Sequence, residues 1–355
     1  MLSLKTFLTF ESFLQWSARL LNPLPPDHQV DATSQSQSRH TDTLLGSSSK
    51  SVAVLMCTYN GQRFLAEQLT SIGSQTHDNW TVVISDDGST DKTLEVIESF
   101  ANRLDQIGKV SVVQGPKRGF AANFLTLACR KEIQADFYAW SDQDDIWQEN
   151  KIETALDWIK TIPSQVPALY CGRTRGMDSQ GTPLECSPLF SRPPAFANAL
   201  VQSLAGGNTM VFNQAARELF ISAGEQLDIV SHDWWAYLLV TGAGGQVFYD
   251  AQPFVLYRQH EDNLVGSNSG FTARLSRLRM MLKGRFSNWT EQNINCLGSA
   301  RHLLTVENQQ ILERFRLARQ SPLPRRLVGL LRAGVYRQTL PGNIGLFLAA
   351  IVRGI

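Results

Sequence analysis

Residues 51–93, SVAVLMCTYNGQRFLAEQLTSIGSQTHDNWTVVISDDGSTDKT, decide the fold. The apolar run 52–56 is strand-length and ends in the polar turn Cys57-Thr58-Tyr59-Asn60-Gly61; Phe64, Leu65, Gln68, Leu69 and Ile72 then recur at helical spacing. A second apolar run, 80–84, ends in Ser85-Asp86-Asp87-Gly88 and opens a helix with Leu94, Ile97 and Phe100 on one face. Working outward, a third strand at 110–113 passes through residues 114–119 into a helix over 120–131. A fourth at 137–140 ends in Ser141-Asp142-Gln143-Asp144-Asp145. Repeated strand-loop-helix units predict an α/β fold with a mainly parallel central sheet covered on both faces. In such sheets ligands bind beyond the carboxyl ends of the strands, and there the chain gathers Thr58 and Asn60, Asp86 and Asp87, Arg118 and Asn123, and Asp142 and Asp144.

The rest of the chain fits one such enzyme core with extensions. With 355 residues, 43% hydrophobic and 18% charged, it is neither disordered throughout nor fibrous. Its five cysteines are widely spaced without a CxxC pair, which indicates neither a zinc cluster nor a disulfide framework and suits a reducing, cytoplasmic compartment. The net charge of +1 hides an asymmetry: residues 271–355 hold 14 Lys and Arg against 3 Glu. A basic end on an acidic body suits an anionic surface. Residues 1–22 have the spacing of an amphipathic helix without a cleavage site, and 23–50 are a Pro-, Ser- and Gln-rich linker expected to be disordered. Residues 51–266 form the expected catalytic domain and 267–355 a basic helical extension. The uncharged run 338–352 is too short and too rich in Pro, Gly and Asn to span a bilayer, and the uncharged run 193–216 reads as a buried sheet and loop region.

The chemistry is set by what the loops lack. The first turn has one glycine, so it matches neither the dinucleotide fingerprint nor a Gly-Lys-Ser/Thr phosphate loop. Carboxylates stand in their place and would repel a diphosphate unless a divalent cation lay between; oxygen donors spaced Asp-x-Asp suit Mg²⁺ or Mn²⁺. Other readings stay open. Asp86 and Asp87 are placed to form a turn and cap the next helix, Asp233 to cap a helix over 234–240, and Trp234 and Trp235 to pack in a core. The arginines at 274, 277, 279, 285, 325, 326, 332 and 337 and Lys283 alternate with apolar residues, as on an interfacial helix or on a bundle packed against the core. No nucleic-acid-binding motif accompanies them.

Three segments carry a family resemblance: the opening stretch, AWSDQDDIW (139–147), and SHDWWAYLL (231–239) followed by QPFVLYRQHEDNLVG (252–266). They resemble family 2 glycosyltransferases of the GT-A nucleotide-sugar-binding fold, in a rhamnosyltransferase-like branch. The resemblance implies a metal-dependent, inverting transfer of a sugar such as rhamnose from a nucleotide-diphosphate donor to a saccharide or lipid-linked saccharide. That places the chain in bacterial surface polysaccharide or O-antigen synthesis, peripheral on the cytoplasmic face of the membrane. It implies donor-nucleotide contacts at Thr58, Asn60, Asp86, Asp87, Arg118 and Asp142, and a metal at Asp142, Asp144 and His260. Asp233 would be the catalytic base, with phosphate or acceptor contacts at Arg258, Trp234 and Trp235. Two rivals are a nucleotidyltransferase, which usually wants a Gly-rich basic first loop, and an inactive membrane-associated scaffold of the same fold.

Overall fold

The computed structural model describes residues 49–103, 108–260, 285–352 and 354–355. The expectations for 1–22, for nearly all of the 23–50 linker, for the boundary at 266 and for the basic residues 274–283 lie outside the described residues.

Strand β1 (Val52–Thr58) is buried along its whole length, and its alternate residues face different layers. Ala53, Leu55 and Cys57 join one apolar cluster; Val52, Val54 and Met56 join the other. Period-two side-chain alternation in a strand with protein on both faces has this result. Helices α1 (Leu65–Gly73), α2 (Thr93–Arg103) and, further along, α4 (Lys151–Ile159) flank the second cluster, through Leu65, Leu69, Ile97, Ile152 and Leu156. Helix α3 (Phe120–Cys129) supplies Phe124 and Leu127 to the first.

β1 pairs in parallel with β2 (Trp80–Asp86) on one side and β4 (Phe137–Ser141) on the other, and β2 pairs in parallel with β3 (Val110–Gln114). The predicted strands are therefore present, most extended by a residue or two at the carboxyl end. Beyond β4 the sheet turns mixed. β8 (Val211–Asn213) pairs antiparallel with β4 and with β6 (Ala168–Met177); β6 runs parallel to β9 (Gln246–Arg258), and β9 antiparallel to β5 (Ile146–Trp147). The hairpin strand β7 (Pro183–Cys186) pairs with β6, giving the order β3-β2-β1-β4-β8-β6-β9-β5. The chain leaves β1 towards β2 on one side and later returns to β4 on the other, so the topological switch point falls between the carboxyl ends of β1 and β4.

The run 193–216 is largely buried, as expected, and adds the short helix α5 (Phe196–Ala199) ahead of β8. Helices α6 (Gln214–Ala223) and α7 (His232–Gly242) precede β9. The C-terminal helices are α8 (Arg285–Ser299), α9 (Val306–Gln320), α10 (Leu323–Ala333) and α11 (Leu340–Ile351). Their inner residues Leu297, Phe315, Leu330 and Leu346 belong to the same cluster as Trp235 and Phe212. No helix among the described residues is long and apolar enough to cross a membrane.

Candidate active site

Three loops meet at the switch point, and their own hydrogen bonds hold them. At the end of β1, Tyr59 is clasped by Gln143: its N–H donates to Oε1 at 2.9 Å, and Gln143 Nε2 donates to its carbonyl at 3.1 Å. A Cβ on Gly61 would lie 2.4 Å from that Oε1, so a side chain there would push Gln143 off its clasp on Tyr59. Asn60 adopts φ 49° and accepts from Thr90 N–H at 2.8 Å.

Asp86 and Asp87 shape the loops they begin. Asp86 accepts from Thr58 Oγ1 (2.9 Å), Ser89 Oγ (2.6 Å) and the N–H groups of Gly88 (3.1 Å) and Ser89 (2.8 Å), which fills the acceptor capacity of a carboxylate. Asp87 accepts from the N–H groups of Lys117 (2.6 Å) and Gly119 (3.1 Å), drawing the loop after β3 over the site. The turn-forming alternative thus describes the local bonding of both. Arg118, on that loop, reaches outward to Gln226 Oε1 at 2.9 Å.

The carboxylates of the β4 loop lie together. Burial, with the charges of Asp144 and Asp233 adding to it, pushes the Asp142 carboxyl up to about 8. Burial also lifts the Cys57 thiol, helped by the charges of Asp142 and Asp87, so the acids at the ends of β2 and β4 flank the same stretch of β1. Asp144 Oδ2 lies 2.7 Å from His260 Nε2. Arg258, fully buried, donates to the Asp144 carbonyl at 2.9 Å and to Glu67 Oε2 at 2.7 Å, and lies over the Phe64 ring. Its guanidinium is therefore engaged in fixing the β4 loop to α1.

Asp145 closes the acidic motif, and its bonding is set by residues remote in sequence. It is buried, accepts from Arg258 N–H at 3.2 Å and from the Asn208 side chain, and is lifted well above the carboxylate range by burial and by Asp144 and Asp142. Nearby, Lys151 is buried over the Trp147 ring at 3.6 Å; burial pulls its amine down to about 7 against the opposing charge of Asp145. Asn208, Gln143 and Glu67 act through partners distant in sequence, Asp145, Tyr59 and Arg258, so no local pattern marks them; Lys151 meets Trp147 and Asp145 within its own segment.

Asp233 occupies the first turn of α7 and is half-buried. Its Oδ1 accepts from Trp234 N–H at 2.7 Å, and burial holds its carboxyl above the ordinary range. His232 beside it stacks on Phe124 at 3.9 Å and meets Trp140 edge-on at 4.8 Å. A Cβ on Gly207 would lie 2.0 Å from its Nε2, so Gly207 makes room for this imidazole. The two tryptophans that follow are core residues, contrary to a role as acceptor contacts. Trp234 donates to the Ala199 carbonyl at 2.7 Å and lies against Phe286 and Trp289; Trp235 is buried in the same cluster. The helix that presents Asp233 at its N-terminus turns the next two side chains inward, where α8 covers Trp234.

The structure therefore sets His260 against Asp144, with Arg258 bonded to the Asp144 carbonyl, and leaves Asp142 within the electrostatic reach of Asp144 and Asp233; Thr58, Asp86 and Asp87 shape the neighbouring loops. Among the described residues no three His, Cys, Asp or Glu side chains are gathered closely enough to hold a metal ion, so Asp142, Asp144 and His260 do not form a three-ligand site by themselves. The donor set still fits a hard divalent ion, which is commonly held by one or two carboxylates with substrate phosphates completing its shell.

A family model described as Glycosyl transferase family 2 matches residues 53–220. The dTDP-rhamnosyl transferase RfbG of Shigella flexneri is 30% identical over 233 residues, covering 64% of this chain and 78% of that one. The uncharacterized glycosyltransferase RT0329 of Rickettsia typhi is 26% identical over 121 residues, 34% of this chain and 36% of its own length. Among solved structures, S. aureus TarS 1-349 in complex with UDP-GlcNAc superposes with a TM-score of 0.47 at 16% identity, over 81% of this chain and 93% of that one. The chain belongs to glycosyltransferase family 2 and is a glycosyltransferase.

Proposed function

We propose that the protein transfers a sugar, with inversion, from a nucleotide-diphosphate donor to a hydroxyl of a saccharide or lipid-linked saccharide in bacterial surface polysaccharide synthesis. The relative named as a dTDP-rhamnosyl transferase favours dTDP-rhamnose as the donor. The observation that carries the reading is the convergence of Asp142, Asp144 and Asp233 at the switch point, where Asp142 feels the charge of both other acids. An inverting transfer needs one base on the acceptor side and compensation for the charge leaving on the donor side. Asp233, raised in basicity by burial, takes the proton of the acceptor hydroxyl as that oxygen attacks the anomeric carbon. Asp144 and His260, with Asp142 beside them, would hold Mg²⁺ or Mn²⁺. A divalent ion there supplies positive charge for the diphosphate.

Arg258 and Asp145 hold the β4 loop so that Asp142 and Asp144 keep their aim. Thr58, Asn60, Asp86 and Asp87 form the wall against which base and ribose lie, and Arg118 borders it from the loop after β3. The test is product analysis with purified protein and dTDP-rhamnose. The expected result is release of dTDP only when Mg²⁺ or Mn²⁺ is present, a product of inverted anomeric configuration, and loss of activity in EDTA that either ion restores. Full transfer in chelator, or retention of configuration, would overturn the metal or the inverting assignment respectively.

A further inference from the structure

Helix α11 combines two features that do not belong together on a solvated surface. Its inner residues Asn343, Leu346, Ala349 and Ala350 are buried against the core. Its outer residues Leu340, Ile344, Leu348, Ile351 and the following Val352 are nevertheless all apolar and 48% to 58% exposed. The spacing of these residues places them on one continuous face, and no charged residue occurs between Gln338 and Val352. A helix apolar on every side is normally covered on every side.

The neighbouring helix says what kind of surface covers it. α10 is tied to the end of α11 by Arg326, whose Nη1 donates to the Ala350 carbonyl at 2.7 Å. Its own outer side exposes Leu323 and Leu331 beside Arg325 and Arg332. Neither of these arginines has an ion-pair partner among the described residues. No acidic residue follows Glu313, whereas eight arginines do. Apolar side chains beside unpaired guanidinium groups, with no carboxylate to repel a phosphate, match the boundary between anionic headgroups and acyl chains.

We propose that the outer faces of α10 and α11 seat the protein on an anionic phospholipid surface, with Leu340, Ile344, Leu348 and Ile351 entering the interface and Arg325 and Arg332 contacting headgroup phosphates. The helix lies along the bilayer and does not cross it, since it is too short to span. The seat is independent of the transfer reaction, so each stands or falls on its own experiment.

Co-sedimentation of the full chain with phosphatidylcholine vesicles containing about one third phosphatidylglycerol tests it. Binding is expected to those vesicles, to be weak to phosphatidylcholine alone, and to fall as salt rises. Ile344→Asn with Leu348→Asn should weaken it at least about tenfold. Arg325→Gln with Arg332→Gln should flatten its salt dependence. Both variants should keep the thermal midpoint of the parent, because the side chains changed face solvent. Failure of the parent chain to sediment, or parent-like binding by both variants, overturns the proposal. So does a dimer that Ile344→Asn with Leu348→Asn dissociates while vesicles bind neither form, since the stripe would then cover a second copy.

Discussion

Asp233 stands in the first turn of α7, and the proton it would accept comes from a hydroxyl that only the bound acceptor brings. Replacing it by Asn keeps the shape and one acceptor oxygen but removes the basic site. Asp233→Asn is therefore expected to lower kcat by roughly a hundred- to ten-thousand-fold. Stabilisation of the protein by donor nucleotide and Mg²⁺, read as a thermal shift, should persist; a variant that turns over normally would place the base elsewhere. His232, one residue earlier, makes a prediction about stability instead. Burial among Phe124 and Trp140 pulls its imidazole from 6.5 down to about 3. The unfolded chain therefore binds a proton below pH 6.5 that the folded chain refuses. Stability is complete above that value and falls as the pH drops towards 3, by about 2 kcal/mol between pH 7 and pH 5 for this group alone. Denaturation of His232→Leu at both pH values should show a correspondingly smaller acid loss, and an unchanged loss would show that the imidazole is protonated in the native state.

At the scale of elements, Asp145 joins what the sequence keeps far apart. Through Asn208 and the Arg258 N–H it fastens the end of β4 to the turn before β8 and to the end of β9. Removing the carboxylate strands buried groups on two elements, and losses of this kind run to about 3 kcal/mol or more. Asp145→Ala should show a loss of that size in chemical denaturation. Combined with Asn208→Ala it should lose less than the sum of the two single variants, because they share one interaction. Full additivity would mean that the bond does not hold the loops. This long-range bonding also explains what could be read in advance. β1 to β4 and their helices were legible because each unit is local: an apolar run, a polar turn, a helical period. The antiparallel strands beyond β4 were not, since β5 and β8 are only 2 and 3 residues long and pair with segments many residues away. In the site, the gathering of acids was legible as a motif. The division of labour among Asp142, Asp144 and Asp145 was not, because distant partners decide which carboxylate meets His260 and which meets Asn208. Asp86 and Asp87 left both readings open, and the Thr58, Ser89, Lys117 and Gly119 donors supply the bonds of the loop-forming one.

For the whole molecule, the basic C-terminal helices complete the core and are more than an attachment to it. The sequence reading ends the catalytic domain at residue 266, where the family resemblance ends, yet the apolar cluster of α7 includes residues beyond it. Trp234 lies against Phe286 and Trp289 of α8, and Leu297, Leu312 and Phe315 share the cluster of Trp235 and Leu239. Thr305 N–H donates to the Gly242 carbonyl at 3.0 Å, and Asn308 Nδ2 to the same carbonyl at 3.0 Å, closing the C-terminal end of α7. A chain ended at residue 266 would expose large aromatic and aliphatic surfaces on the helix that carries Asp233, at a cost of about 25 cal/mol for each Å² uncovered. Such a truncation is expected to lose its cooperative thermal transition and its donor-induced shift together, because the same packing orients α7 and stabilises the sheet. A truncated chain that melted cooperatively and still bound donor with Mg²⁺ would show that the sheet and α7 form a self-sufficient domain, and that the inner faces of α8 to α11 serve only to hold the outer ones in place.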